Sequence, residues 1–177
     1  MARRLALGLL WLGATVATGQ TVDLPTQPVK TQEAKNVGIG SYDLTREGEV
    51  VAVEAFDLAG ELLADCEVRW LEVSRVMACT MADGQRFRAT WLQKRVEFED
   101  LVTGDRISLQ KEGPTLREIM EMAPEARPEH HGWVVRGTKT WTEVERDWGH
   151  ITPMFGNLLG EVEITLGILN QRLSSPP

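Results

Sequence analysis

Between residues 62 and 71 the chain alternates without a break: Leu62, Ala64, Cys66, Val68 and Trp70 share one parity, and Leu63, Asp65, Glu67, Arg69 and Leu71 the other. Successive side chains of an extended strand point to opposite faces, so this is the pattern of a half-buried β-strand. The only other cysteine is Cys79. If the two thiols meet across an antiparallel pair, Val68 faces Met77, Ala64 faces Met81 and Trp70 faces Arg75, and apolar residues meet without adjustment. One alternation and two sulfurs thus propose a face, a partner strand and a register.

The reversal at Ala82-Asp83-Gly84 extends that register. A two-residue turn would put Phe87 and Trp91 on the wrong face, whereas a three-residue loop with Gly84 in the left-handed region restores the parity. Phe87 then lies beside Cys79, Ala89 beside Met77 and Trp91 beside Arg75. Further strand candidates, rich in Val, Ile, Thr or aromatic residues, are 49–58, 73–81, 85–92, 95–100, 105–110, 133–142 and 160–169. Gly38-Ile39-Gly40 lacks the third glycine of a dinucleotide loop and reads as a bulge or a close approach of strands.

A helix interrupts the strands. Gly113-Pro114 breaks the chain, Thr115 and Glu118 form a T-x-x-E capping box, and Leu116, Ile119, Met120 and Met122 follow before Pro124. The expected fold is therefore all-β: seven to nine mainly antiparallel strands as a barrel, a sandwich or a half-open jelly-roll groove, with one short helix near 115–123.

The first residues carry Arg3 and Arg4, and Leu5 to Ala17 is almost free of polar side chains, with small residues at Ala17 and Gly19. That is the layout of a secretory signal peptide over 1–19. Its apolar run falls short of the roughly 20 residues a bilayer-spanning helix needs, so no stable transmembrane anchor is expected after cleavage. An extended N-terminal tether over 20–36, one β-rich domain over 37–170 and a C-terminal tail over 171–177 complete the expected organisation. Export to the periplasm or the medium would join Cys66 to Cys79 as a disulfide.

Lys and Arg number 19 against 26 Asp and Glu, and removing Arg3 and Arg4 leaves 17 − 26 = −9. Such a chain repels phosphate backbones, so nucleic acid is not an expected partner, and an anionic membrane surface is not favoured.

The sharpest local constellation is Arg75 between Trp70 and Trp91. A guanidinium held between two indoles could present a fixed cation to an anionic or sugar ligand; the plainer reading is an arginine packing its stem over aromatic faces at the edge of the core. Trp133 and Trp141 share one parity with Val135, which suits core or pocket lining. Arg86, Arg88, Lys94 and Arg95 are locally basic, but Arg86 and Arg88 share a face with Asp65 and Glu67. Glu129, His130, His131 and His150 are proper donors for zinc or copper, although adjacent histidines on an extended segment point to opposite sides. No metal or other cofactor is expected.

With no nucleophile, acid or base set standing out, the expected function is a non-catalytic envelope module that holds an amphipathic small molecule or an envelope protein, its interior lined by Met77, Met81, Phe87 and the tryptophans. The alternatives are an exported hydrolase with a site near His130, His131 and His150, and a structural or adhesive surface domain. The stretch from Ala82-Asp83-Gly84-Gln85 through Arg88-Ala89 to the strand at Ile107 resembles the strand-turn units of the periplasmic lipopolysaccharide-transport bridge proteins, from which the helix at Thr115 departs. The Gly-x-Trp signature of lipocalins is absent, with Gly40-Ser41-Tyr42 in its place.

Overall fold

A computed structural model describes residues 21–129 and 132–174, with side chains as far as Gln171. Nine strands form one antiparallel sheet in which every strand pairs with its neighbour in sequence: β1 Thr21–Pro28, β2 Ile39–Glu47, β3 Val50–Asp57, β4 Leu62–Trp70, β5 Arg75–Met81, β6 Arg86–Leu92, β7 Arg95–Asp100, β8 Arg106–Lys111 and β9 Trp133–Gly137. The sheet is not closed, so β1 and β9 are its two edges. Of the expected architectures, the half-open groove fits this open meander.

The register follows the cysteines. Cys66 pairs with Cys79, Val68 with Met77, Ala64 with Met81 and Trp70 with Arg75. The two sulfurs are bonded, with α-carbons 4.0 Å apart, well inside the 7 Å limit for a bridge. Gly84 takes a φ of 87°, and across the loop Cys79 faces Phe87, Met77 faces Ala89 and Arg75 faces Trp91. A register shift lies between Ile39 and Ser41. A Cβ on Gly40 there would sit 2.6 Å from the Asp57 carbonyl oxygen, so only glycine allows the two backbones to approach.

Four helices accompany the sheet: α1 Gln32–Asn36, α2 Leu116–Glu121, α3 Trp141–Trp148 and α4 Ile151–Ser174. The segment 160–169, expected as a strand, is the middle of α4. Val162, Ile164, Leu166 and Ile168 do alternate, yet Ile164 and Ile168 are exposed, while Phe155, Leu158, Leu159, Val162 and Leu166 are buried. That buried set follows the helical period over a longer window, and the longer period decides. The expected strand 133–142 stops at Gly137, because Thr140 and Glu143 form a second capping box that opens α3 at Trp141. Within 20–36, the expected tether, Thr21–Pro28 is a strand paired to β2 and Gln32–Asn36 is a helix. Its lack of periodicity suits an edge strand carrying Pro25, Pro28 and a register shift between Leu24 and Gln27, features that discourage pairing with another chain. The tail beginning at 171 continues α4 to Ser174.

The core lies between one face of the sheet and α4. Inward residues of the strands, from Tyr42 and Leu44 through Val53, Cys66, Met77 and Phe87 to Phe98 and Ile107, pack against Met154, Phe155, Leu158, Val162 and Leu166. The helix crosses the strands. Phe155 meets Phe87 and Phe98 at centroid distances of 6.5 and 5.3 Å, whereas Thr165 bonds Tyr42 on β2 and Asn170 accepts from Arg46. Among the described residues no helix is long and apolar enough to cross a membrane.

Candidate functional site

The meander puts the β2–β3, β4–β5, β6–β7 and β8–β9 connections at one end of the sheet, here called the rim. One inward cross-strand row near the rim runs Trp70, Arg75, Trp91, Val96, Leu109 and Val135, with Lys111 and Trp133 one step closer to the rim on β8 and β9. The sequence thus places the two indoles and the guanidinium side by side as read from the cysteine register.

The arginine is turned to the helix. Its Nε lies 3.0 Å from Oε1 of Glu163 on α4, and the Trp70 indole N–H donates to the same oxygen at 3.4 Å. The charge of Arg75 is therefore matched within the molecule, and its side chain is about half exposed, where such a pair contributes little to stability. Among the described residues the ammonium groups over indole faces are those of Lys111, 5.7 Å from the Trp133 centroid, and Lys139, 5.2 Å from that of Trp148.

Trp91 does more than flank Arg75. On one side it bounds an open groove of about 650 Å³ with Trp70, Arg75 and the 71–74 and 92–93 turns. On the other it walls an apolar cavity of about 290 Å³ that reaches in from the rim. The cavity's lining comprises Ala89, Trp91, Val96, Phe98, Leu109, Trp133, Trp141 and Phe155, with Thr152 as the single polar residue. It occupies the part of the sheet's inner face, under β6 to β9, that α4 leaves uncovered. Each wall has a local cause: Ala89 and Leu109 are inward by strand parity, Trp141 is the first residue after the Thr140 cap, and Phe155 sits in the first turns of α4.

Two polar clusters hold these walls. Lys139 lies 3.3 Å from Asp105 and 3.0 Å from Asp147, tying the start of β8 to α3. Hydrogen bonds from Arg146 and Lys139 hold the Asp147 carboxyl far below the usual range, and those from Thr138 and Lys139 lower that of Asp105. On the same face of the sheet, toward β1 and β2, Glu161 of α4, fully buried, accepts backbone N–H bonds from Lys30 at 3.0 Å and Thr31 at 2.7 Å. Burial alone would raise its pKa; the two amides and the hydroxyl of Thr31 outweigh burial and lower it. Tyr42 donates its hydroxyl proton to the Glu161 carbonyl oxygen and so accepts from Thr165. Burial, countered by the Thr165 bond and reinforced by the Glu161 charge, pushes the Tyr42 hydroxyl up.

Of the remaining candidates, His150 and Glu129 are exposed, and His130 and His131 lie outside the described residues. Among the described residues no three His, Cys, Asp or Glu side chains gather into a metal site. Arg88 pairs with Glu99 and Arg95 with Glu97 across the outer face. The sequence reading missed the cavity because it left Trp141 on a strand and α4 unrecognised. The signal was present in Thr140-x-x-Glu143, the same box that located α2. No protein-family model, curated protein or solved structure matches this chain.

Proposed function

We propose that the chain is an exported, non-catalytic binding module that holds the apolar part of a small amphipathic molecule in the tryptophan-lined cavity. The observation that carries this reading is the lining: three indoles, two phenyl rings and aliphatic side chains around about 290 Å³, with one hydroxyl. A concave apolar site with few polar groups favours transfer of hydrocarbon from water and sets little else about the ligand. A methylene displaces about the volume of a water molecule, roughly 30 Å³, so the space suits a single chain of about ten carbons or a fused aromatic ring. The leader-like N-terminus and the Cys66–Cys79 bond support an oxidising, extracytoplasmic location.

Titration with the neutral fluorophore N-phenyl-1-naphthylamine tests the reading. Saturable one-to-one enhancement is expected, abolished by Val96→Phe, which fills the cavity from β7, and kept by Arg75→Ala, whose side chain bonds to Glu163 instead. Undiminished probe binding in Val96→Phe would remove the cavity as the site.

A further inference from the structure

We propose that the open groove between Trp70 and Trp91 is a second binding site, for a neutral pyranose saccharide of gluco configuration. It is separate from the apolar cavity and does not depend on what the cavity holds. Trp70 on β4, Arg75 on β5 and Trp91 on β6 are direct cross-strand neighbours. The two indoles are therefore rooted two strand spacings apart, roughly 9.6 Å, with the guanidinium between them.

Each indole is a partition. Trp70 borders this groove of about 650 Å³ and also a smaller one of about 390 Å³ beside Glu163 and Asn170. Trp91 borders the same groove and the cavity. Both have a side turned to the space between them, and among the described residues no aromatic ring or ammonium group is stacked on either. The bond from the Trp70 N–H to Glu163 fixes one wall. The β4–β5 turn that closes the groove is held by the Leu71 N–H, which donates to the Ser74 carbonyl oxygen at 2.8 Å. The site is thus formed before a ligand arrives.

Three features select the class of ligand. The first is the mixture of polar groups. Arg75 faces Glu163 through Nε, which leaves both terminal amino groups, and Glu72, Ser74 and Gln93 add a carboxylate, a hydroxyl and an amide to the lining. Donors and acceptors set close together answer to neighbouring hydroxyls, each of which is both. A hydrocarbon in the same place would cover these groups without giving them partners. The second feature is charge. Glu72 and Glu163 offset Arg75 and Lys94 of the β6–β7 turn, so neither a carboxylate nor an ammonium ligand meets a surplus of the opposite sign. The third is the pair of indole walls. A pyranose whose hydroxyls are all equatorial carries only C–H on both ring faces, and such faces suit the negative π surface of an indole.

The test is isothermal titration of the chain with cellobiose, which is expected to bind one-to-one. Trp70→Leu and Arg75→Ala should each weaken binding by about tenfold. Arg69→Ala, on the outer face of β4 and ion-paired with Glu67, should change it by less than about twofold. Trp70 is not part of the cavity lining, so unaltered uptake of N-phenyl-1-naphthylamine shows that the Trp70→Leu protein is folded. Lactose, with one axial hydroxyl on its terminal ring, should bind more weakly than cellobiose. The proposal is overturned if cellobiose does not bind, or if it binds equally to the parent, Trp70→Leu and Arg75→Ala. Equal affinity for lactose removes the gluco assignment, and tighter binding of methyl β-glucuronide than of methyl β-glucoside gives the groove to an anion. Displacement of the fluorophore by cellobiose would put the sugar in the cavity and also overturns it. Cellobiose binding without fluorophore uptake sinks the cavity reading and leaves this site standing.

Discussion

Glu161 is the residue whose surroundings most constrain its chemistry. A carboxylate without exposed surface is tolerated only when its charge is met by donors, and here the amides of Lys30 and Thr31 supply them. They also fasten the start of α1 to α4, across 130 residues of sequence. Because the folded-state pKa is lowered from 4.5, the group contributes stability at pH above that value and loses it as the pH falls through the folded-state pKa. Denaturant titrations from pH 7 downward should therefore show stability declining below about pH 4. In Glu161→Gln that part of the decline should vanish, at a cost near neutrality of about 1–3 kcal/mol, since an amide offers one acceptor oxygen where two N–H groups need partners. An unchanged acid limb in the variant would mean that other carboxyls control it. Nothing local marks this residue: Glu161 lies in the segment 160–169 expected as a strand, and its donors, the amides of Lys30 and Thr31, lie far away in the chain.

At the scale of elements, legibility tracked how local the determinant was. Strands β4, β5 and β6 were legible to the residue pair, because parity, a turn glycine and two cysteines are all short-range signals. Helix α2 followed from its capping box. Helices α3 and α4 were hidden because short β-like alternations at 133–142 and 160–169 overlie a helical period visible only over a longer window. Strand β9 shows how an element can depend on one residue. Gly137 has a φ of 142°, and a Cβ there would lie 2.1 Å from the Arg106 carbonyl oxygen, so no other residue fits opposite Ile107. Gly137→Ala should cost about 1–3 kcal/mol. It should also weaken probe binding, because β9 carries Trp133, one wall of the cavity. Thermal unfolding and the fluorophore titration report the two effects separately; a variant with unaltered melting and binding would show that β9 does not need this close approach.

On the scale of the whole molecule, an open nine-stranded sheet has one face that must be covered, and a single helix covers most of it. Whether α4 fills the groove or merely rests on it decides how much space is left for a ligand. Phe155 is the residue that answers, since it is fully buried, packs against Phe87 and Phe98, and also forms a wall of the cavity. Phe155→Ala removes a ring from a close-packed site, so a loss of about 3–5 kcal/mol is expected if the surroundings cannot collapse. A rigid sheet that keeps the vacated volume joins it to the existing 290 Å³, and the enlarged cavity should accept probes too bulky for the parent. Those probes would then restore part of the lost stability in proportion to the logarithm of their concentration. Denaturant melts of both proteins with and without a polycyclic aromatic ligand measure both quantities at once. A loss below about 1 kcal/mol, which is ordinary for a surface substitution, would mean that the groove closes over the gap, and the cavity would then be a yielding space between α3 and the sheet instead of a preformed site.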